Sequence, residues 1–190
     1  MWSKVTKWSF YPTLVYNLFM EKVTSRQWYN RIDDTVILGA LPFRSMSENL
    51  VQDERVKGVV SLNEDYELDR FVNSKEEWYA LGVTQLRLPT VDLIAAPSQT
   101  NLKCGVDFIM EHRERLETVY VHCKAGRTRG PTLVACYLMV AYNWTPEKAI
   151  GDIINKRPHV WLRQAQIDSI KCFYKENLEP NIPRNPGTFV

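Results

Sequence analysis

The β-branched and aromatic run Thr118-Val119-Tyr120-Val121 is separated by only ten residues from the long apolar run Thr132 to Val140. The first reads as a buried strand and the second as a core helix, so the chain passes from sheet to covering helix with almost no slack. Pro131 falls in the first turn of that helix, where a missing N–H costs least. The connecting loop therefore lies at a strand end and wraps onto a helix N-terminus. There, unpaired backbone N–H groups and the positive end of the helix dipole collect an anion.

The loop reads His122-Cys123-Lys124-Ala125-Gly126-Arg127-Thr128-Arg129. A free cysteine has a pKa of roughly 8.5, and a helix N-terminus with nearby cations lowers it by several units, so Cys123 is expected to be a thiolate at neutral pH. A thiolate attacks phosphorus without a general base. Arg129 offers a planar fork that holds two phosphoryl oxygens at once and follows them into the trigonal transition state. Gly126 lets the backbone turn sharply and approach a phosphate closely. Lys124, Ala125, Gly126, Arg127 and Thr128 form the candidate phosphate-binding loop, with Cys123 the candidate nucleophile and Arg129 its partner. A single cysteine at a strand end is more often a small buried hydrophobe. Three cations, Lys124, Arg127 and Arg129, between a buried strand and a buried helix have no such packing explanation.

His-Cys, five residues and an arginine is the signature of the cysteine-dependent phosphatase superfamily, which this loop resembles. The chain looks like the dual-specificity branch, and within it is similar to the mitochondrial phosphatases that act on phosphatidylglycerophosphate. Phe10 to Leu14, Trp28 to Asp33, Asn63 to Glu67, Gln85 to Leu88 leading to Thr90-Val91-Asp92, and Asn143 to Glu147 carry the narrower match. The resemblance thus spans nearly the whole chain. It implies a three-layer α/β dual-specificity phosphatase fold, with a central, mostly parallel twisted sheet flanked by helices and the loop at a strand C-terminus. It also implies hydrolysis of a phosphomonoester through a phosphocysteine, foremost phosphatidylglycerophosphate to phosphatidylglycerol in cardiolipin synthesis, on the matrix side of the mitochondrial inner membrane. No metal or cofactor is called for, because the loop supplies the charge stabilisation that a divalent ion gives elsewhere.

One position departs from the family. The hydroxyl residue after the arginine is replaced by Gly130. In the family that hydroxyl is understood to donate to the thiolate and help it leave when water attacks the phosphocysteine. Thr128 and Thr132 are the neighbouring hydroxyls that could stand in.

An alkoxide is a poor leaving group and calls for a carboxylic acid, which can afterwards deprotonate the attacking water. Asp92, thirty-one residues before Cys123, is the candidate. It follows the strand-like Val83 to Leu88 and opens a loop, and the resemblance implies the general-acid role; an ordinary loop aspartate is the plainer alternative. Glu64, Asp65 and Glu67 follow the strand-like Val56 to Leu62, at a strand end where open α/β sheets place their sites. Carboxylates beside a phosphate pocket repel substrate, so they are expected to hold a glycerol hydroxyl, a loop arginine or a water, or else form a solvated turn. Glu64, Glu67 and His122 are accordingly the candidates for positioning substrate or water.

Lys124 and Arg127 add positive charge beyond the arginine that grips the phosphoryl group, favouring a headgroup with more than one phosphate. Acidic phospholipids as a class fit; a protein-tyrosine, dual-specificity or phosphoinositide phosphatase remains the alternative. Two other classes stay open: a phosphatase-like binding module impaired by Gly130, and a rhodanese-like sulfur transferase, which would not call for Asp92.

With 190 residues and a net charge of +2, one α/β domain is expected and nucleic-acid binding is not. The cysteines Cys104, Cys123, Cys136 and Cys172 show neither C-x-x-C spacing nor histidine partners, so neither zinc nor a disulfide framework is indicated. Before Glu21 there is no acidic residue, while Lys4 and Lys7 are interleaved with Trp2, Trp8, Phe10 and Tyr11. Residues 1–27 therefore read as a mitochondrial targeting or membrane-surface segment, or as a helix packed on the domain. Residues 28–179 form the catalytic domain, and 180–190 a tail. Ser74 to Glu77 is a capping box, Ser98 to Arg115 is helical, Thr145 caps a helix opened by Pro146, and a last helix runs from about Arg163 to Asn177. Oligomeric state leaves no mark in the sequence.

Overall fold

The computed structural model describes residues 12, 14, 26–68, 71–91 and 95–179. Most of the expected targeting segment, the tail and Asp92 lie outside these residues.

Five strands form one sheet: β1 (Tyr29–Arg31), β2 (Val36–Gly39), β3 (Val56–Ser61), β4 (Thr84–Arg87) and β5 (Thr118–His122), in the order β1-β2-β5-β3-β4. β1 runs antiparallel to β2, and the other pairs are parallel. The helices are α1 (Ser47–Gln52), α2 (Asp65–Leu68), α3 (Lys75–Ala80), α4 (Gln99–Glu114), α5 (Arg129–Tyr142), α6 (Pro146–Lys156) and α7 (Gln164–Asn177), with a 3-10 turn at Arg44–Met46.

Two apolar layers follow from strand alternation. Val36, Leu38, Val60, Val119 and Val121 face a core completed by Leu102, Val106 and Ile109 of α4, Leu133 to Met139 of α5, Ile153 of α6 and Ile170 of α7. Ile37, Val59 and Tyr120 face the other way, onto Leu50 of α1 and Trp78 of α3. A third cluster joins Trp28, Ala40, Leu41, Leu68 and Val72, and Leu14, only 4% exposed, is one of its members. The sheet is thus sandwiched between two helical layers, with β5 central and buried along its whole length, as a parallel strand covered on both faces is. Among the described residues no helix is long and apolar enough to cross a membrane.

The caps expected at Ser74 and Thr145 are present: Ser74 and Glu77 close a reciprocal box at α3, and the Thr145 side chain accepts from Lys148 N. Ser98 adds one that was not expected, accepting from Asn101 N. The acidic stretch after β3 is not an open turn: Asp65–Leu68 coils into a single helical turn. A four-residue element is too short to show any apolar period, so its pattern was invisible.

Candidate active site

The loop after β5 closes on the N-terminus of α5, whose Thr128 N-cap makes no side-chain cap bond and whose first turn holds no acidic residue. The loop's carbonyls are held from outside. Lys124 O accepts from Leu41 N at 3.3 Å, and Arg127 O from Trp161 N at 2.8 Å. Arg157 donates to Ala125 O at 3.2 Å and to Gly126 O at 3.0 Å. In a planar trans peptide the N–H points opposite to the carbonyl, so these outward carbonyls aim the N–H groups of residues 125–128 inward. The result is a nest of donors at the positive end of a helix. Gly126 sits at φ +63°, and a Cβ there would lie 2.6 Å from Gly39 O and 2.8 Å from an Arg157 nitrogen. Only glycine satisfies both demands.

Cys123 is 2% exposed at the mouth of this nest. Arg129 is equally buried and is fixed by a two-pronged ion pair, with Nη1 donating to Glu67 Oε2 at 2.8 Å and Nη2 to Oε1 at 3.1 Å. Nη1 also reaches Leu62 O at 3.2 Å and Thr90 O at 2.9 Å. The ends of β3 and β4 therefore set the arginine's angle. Of the tasks open to the carboxylates, Glu67 takes the loop arginine. Its side chain is 0% exposed and its Oε2 also accepts from Glu64 N, so any positioning it does acts through Arg129. Glu64 Oε2 accepts from Tyr66 Oη at 3.2 Å, and Asp65 pairs with Arg87. Arg127 Nε donates to His159 O at 3.1 Å, and Lys124 is 6% exposed.

Strand alternation decides where His122 lies. Along β5 it sends Val121 and Cys123 to one face and Tyr120 and His122 to the other, where the imidazole is 1% exposed and 6.0 Å from the Tyr120 ring. Burial, reinforced by Arg129 and Arg87, pushes its pKa down to about 3. The unfolded chain binds a proton below about pH 6.5 that the folded protein refuses, so stability falls as pH drops from there toward 3, by about 1.4 kcal/mol per pH unit. Half-buried His159, pushed down by burial and by Arg157, Arg26 and Arg127, acts in the same direction but is partly screened by solvent. Denaturant midpoints measured from about pH 7.5 to about pH 5 are expected to decline, and His122→Asn to flatten the decline. An unaltered slope in that variant would remove His122 as its source.

One of the two hydroxyls that could stand in for the one lost at Gly130 is engaged elsewhere. Thr132 Oγ1 donates to Thr128 O at 2.8 Å and is spent there. Gly130 itself lies beside the Cys123 backbone: a Cβ built on it would be 3.8 Å from Cys123 N and 3.0 Å from Leu38 Cδ1.

Residues 50–176 match the family described as dual specificity phosphatase, catalytic domain. The chain belongs to that family. As a cysteine phosphatase of this kind it has relatives along most of its length. Phosphatidylglycerophosphatase and protein-tyrosine phosphatase 1 of Homo sapiens is 49% identical over 170 residues, covering 88% of this chain and 85% of that one. Phosphatidylglycerophosphate phosphatase PTPMT2 of Arabidopsis thaliana is 38% identical over 182 residues, covering 95% of this chain and 76% of that one. The crystal structure of PTPMT1 in complex with PI(5)P matches with a TM-score of 0.77 at 47% identity, over 79% of this chain and 96% of that chain.

Arg157 is the residue bracing the loop that sequence reasoning missed. It is 1% exposed and, among the described residues, donates to the neutral acceptors Gln27 O, Trp28 O, Ala125 O, Gly126 O and Asn30 Oδ1. Burial pulls its pKa down to about 10, which leaves it charged at neutral pH. A groove of about 560 Å³ along α4 and α7, lined by Gln99, Lys103, Asp107 and Phe108 among others, shares no residue with the loop. Gln166 of α7 donates to Ala95 O at 3.1 Å.

Proposed function

We propose that this phosphatase removes the terminal phosphate of phosphatidylglycerophosphate to give phosphatidylglycerol for cardiolipin synthesis, on the matrix side of the mitochondrial inner membrane. The observation that carries this reading is the 49% identity to the human phosphatidylglycerophosphatase across 88% of the chain. A lipid headgroup with two phosphates also suits a loop that adds Lys124 and Arg127 to the arginine holding the phosphoryl group. Residues 1–27 are proposed as the targeting segment. The phosphoinositide reading is favoured by one observation, the similarity to PTPMT1 in complex with PI(5)P.

In the proposed mechanism the Cys123 thiolate attacks phosphorus. The S–P bond forms as the P–O bond to glycerol breaks, and Asp92 delivers its proton to the departing oxygen. Arg129 and the inward N–H groups meet the charge that spreads over the equatorial oxygens. The Asp92 carboxylate then takes a proton from water, whose oxygen displaces the thiolate and releases inorganic phosphate. Phosphate release from phosphatidylglycerophosphate in mixed micelles, beside PI(5)P and a phosphotyrosine peptide and with Cys123→Ser as the blank, tests the assignment. Turnover is expected to be fastest on the first lipid, and faster turnover of either rival would replace it.

Gly130 bears on the second displacement. A donor to a charged sulfur is worth about 1.5–3 kcal/mol, so Gly130→Ser is expected to speed breakdown of the phosphoenzyme roughly ten- to a hundredfold. Its formation should change little. Because the new Cβ would press on Leu38 at 3.0 Å, Gly130→Ser combined with Leu38→Val is measured alongside it. Unchanged single-turnover decay in both variants would show that the missing hydroxyl does not limit release.

A further inference from the structure

Between α6 and α7 runs the segment His159-Val160-Trp161-Leu162-Arg163. Val160 and Leu162 pack against the main core, and Trp161 between them is turned outward, 55% exposed. Leaving the largest apolar side chain in water opposes folding, since a buried tryptophan contributes one of the largest single gains available to a core. The segment is also not loosely held. Trp161 N donates to Arg127 O at 2.8 Å and Val160 N to Arg157 O at 3.1 Å. Arg127 Nε returns a bond to His159 O at 3.1 Å, and Arg163 N donates to Gln166 Oε1 at 3.2 Å.

Two guanidinium groups flank the exposed ring, with Arg163 Cζ 4.7 Å and Arg127 Cζ 5.8 Å from its centroid. The ledge is therefore an aromatic plate edged by cations, bonded directly to the phosphate-binding loop. On another element, Val91 is 40% exposed and follows Thr90, whose carbonyl accepts from Arg129 at 2.9 Å. Exposed apolar side chains thus stand on two elements that both bond the loop.

We infer that the Trp161 ledge docks the enzyme on an anionic phospholipid bilayer, seating the mouth of the phosphate loop at the headgroup layer. Trp is the side chain that settles at the boundary between headgroups and acyl chains, its ring in the apolar zone and its N–H in the wet one. The guanidinium groups at its edges then lie level with lipid phosphates, each arginine adding about fivefold to binding of an anionic surface. A nucleic-acid strand could also stack on such a ring, but a chain with net charge +2 lacks the basic track that would carry its backbone. The inference rests on the reading of the enzyme as a lipid phosphatase, and it adds a site of contact separate from the expected N-terminal segment.

The test uses the full chain carrying Cys123→Ser, sedimented with vesicles of phosphatidylcholine mixed with phosphatidylglycerol and with phosphatidylcholine alone. Trp161→Ala is expected to weaken binding to the mixed vesicles about tenfold, and Trp161→Phe to restore part of it. In the active enzyme, Trp161→Ala, which keeps the backbone N–H on Arg127 O, is expected to raise the KM for vesicle-borne phosphatidylglycerophosphate far more than it alters hydrolysis of a soluble aryl phosphate. Vesicle binding indifferent to Trp161 would overturn the inference. So would an equal loss on the aryl phosphate, which would make Trp161 a support of the loop, or displacement of the enzyme from vesicles by a single-stranded oligonucleotide. The two readings fail separately. Trp161-dependent vesicle binding without phosphatidylglycerophosphate turnover leaves the docking and removes the substrate; turnover in micelles with Trp161-independent binding does the reverse.

Discussion

Glu67→Gln is expected to lower kcat on a soluble aryl phosphate about a hundredfold and to destabilise the protein by about 3 kcal/mol. The pair it breaks has side chains 1% and 0% exposed, so solvent neither screens the charges nor replaces a lost partner. Glutamine keeps the shape of glutamate but turns an N–H₂ toward a group that only donates, and it leaves the Arg129 charge without its counter-ion. The two carbonyls on Nη1, from Leu62 and Thr90, still hold one nitrogen, but Nη2 loses its carboxylate partner and the rotation of the fork is held less firmly. A fork misaligned by a few tenths of an ångström meets one phosphoryl oxygen instead of two. The loss should therefore appear in kcat more than in KM, because the transition state has the greater need of both contacts. A variant that is less stable yet turns over normally would show that the two carbonyls suffice to aim Arg129, and that Glu67 serves only the fold.

The residues of the loop could be named from the sequence because they are contiguous. One strand, one turn and one helix bring Cys123 and Arg129 together without help from the rest of the chain, and the residue types declare the chemistry. The caps at Ser74 and Thr145 were legible for the same reason, being patterns within four residues. What depends on pairing across the chain was not. The order β1-β2-β5-β3-β4 places β5 between strands that precede it by many residues, and no local period announces that. The antiparallel edge at Tyr29–Arg31 is too short for alternation to show. Glu67 lies 62 residues before Arg129, so sequence could offer an arginine partner only as one task among several. His122, beside the nucleophile in sequence, stands in the strand on the opposite face.

Arg157 is the hardest case, and removing it should have the largest effect on the fold of the site. Arg157→Met is expected to destabilise the protein by about 4 kcal/mol, since it strands several buried carbonyls at about 1 kcal/mol or more each. Turnover is expected to fall more than a hundredfold, on the order of a 3 kcal/mol rise in the barrier. The reason lies in what the guanidinium joins. It ties Ala125 O and Gly126 O of the loop to Gln27 O, Trp28 O and Asn30 Oδ1 on the opposite side of the cleft. Without it the carbonyls of residues 125 and 126 are free to turn, and each that turns inward swaps an N–H donor for an acceptor facing the phosphate. Arg157→Lys separates this account from one based on charge alone. An ammonium keeps the positive field near Cys123 but cannot span both sides of the cleft at once, so the lysine variant should resemble methionine in kcat and lie between methionine and arginine in stability. Near-normal turnover with lysine would mean that the field, and not the outward pinning of the carbonyls, is what the loop requires from this residue. The one clue in the sequence was an arginine directly before Pro158, at the C-terminal end of an amphipathic helix where a cation is ordinarily a solvated cap. Its burial follows only from tertiary packing, because its partners come from segments that share nothing in sequence except the loop they enclose.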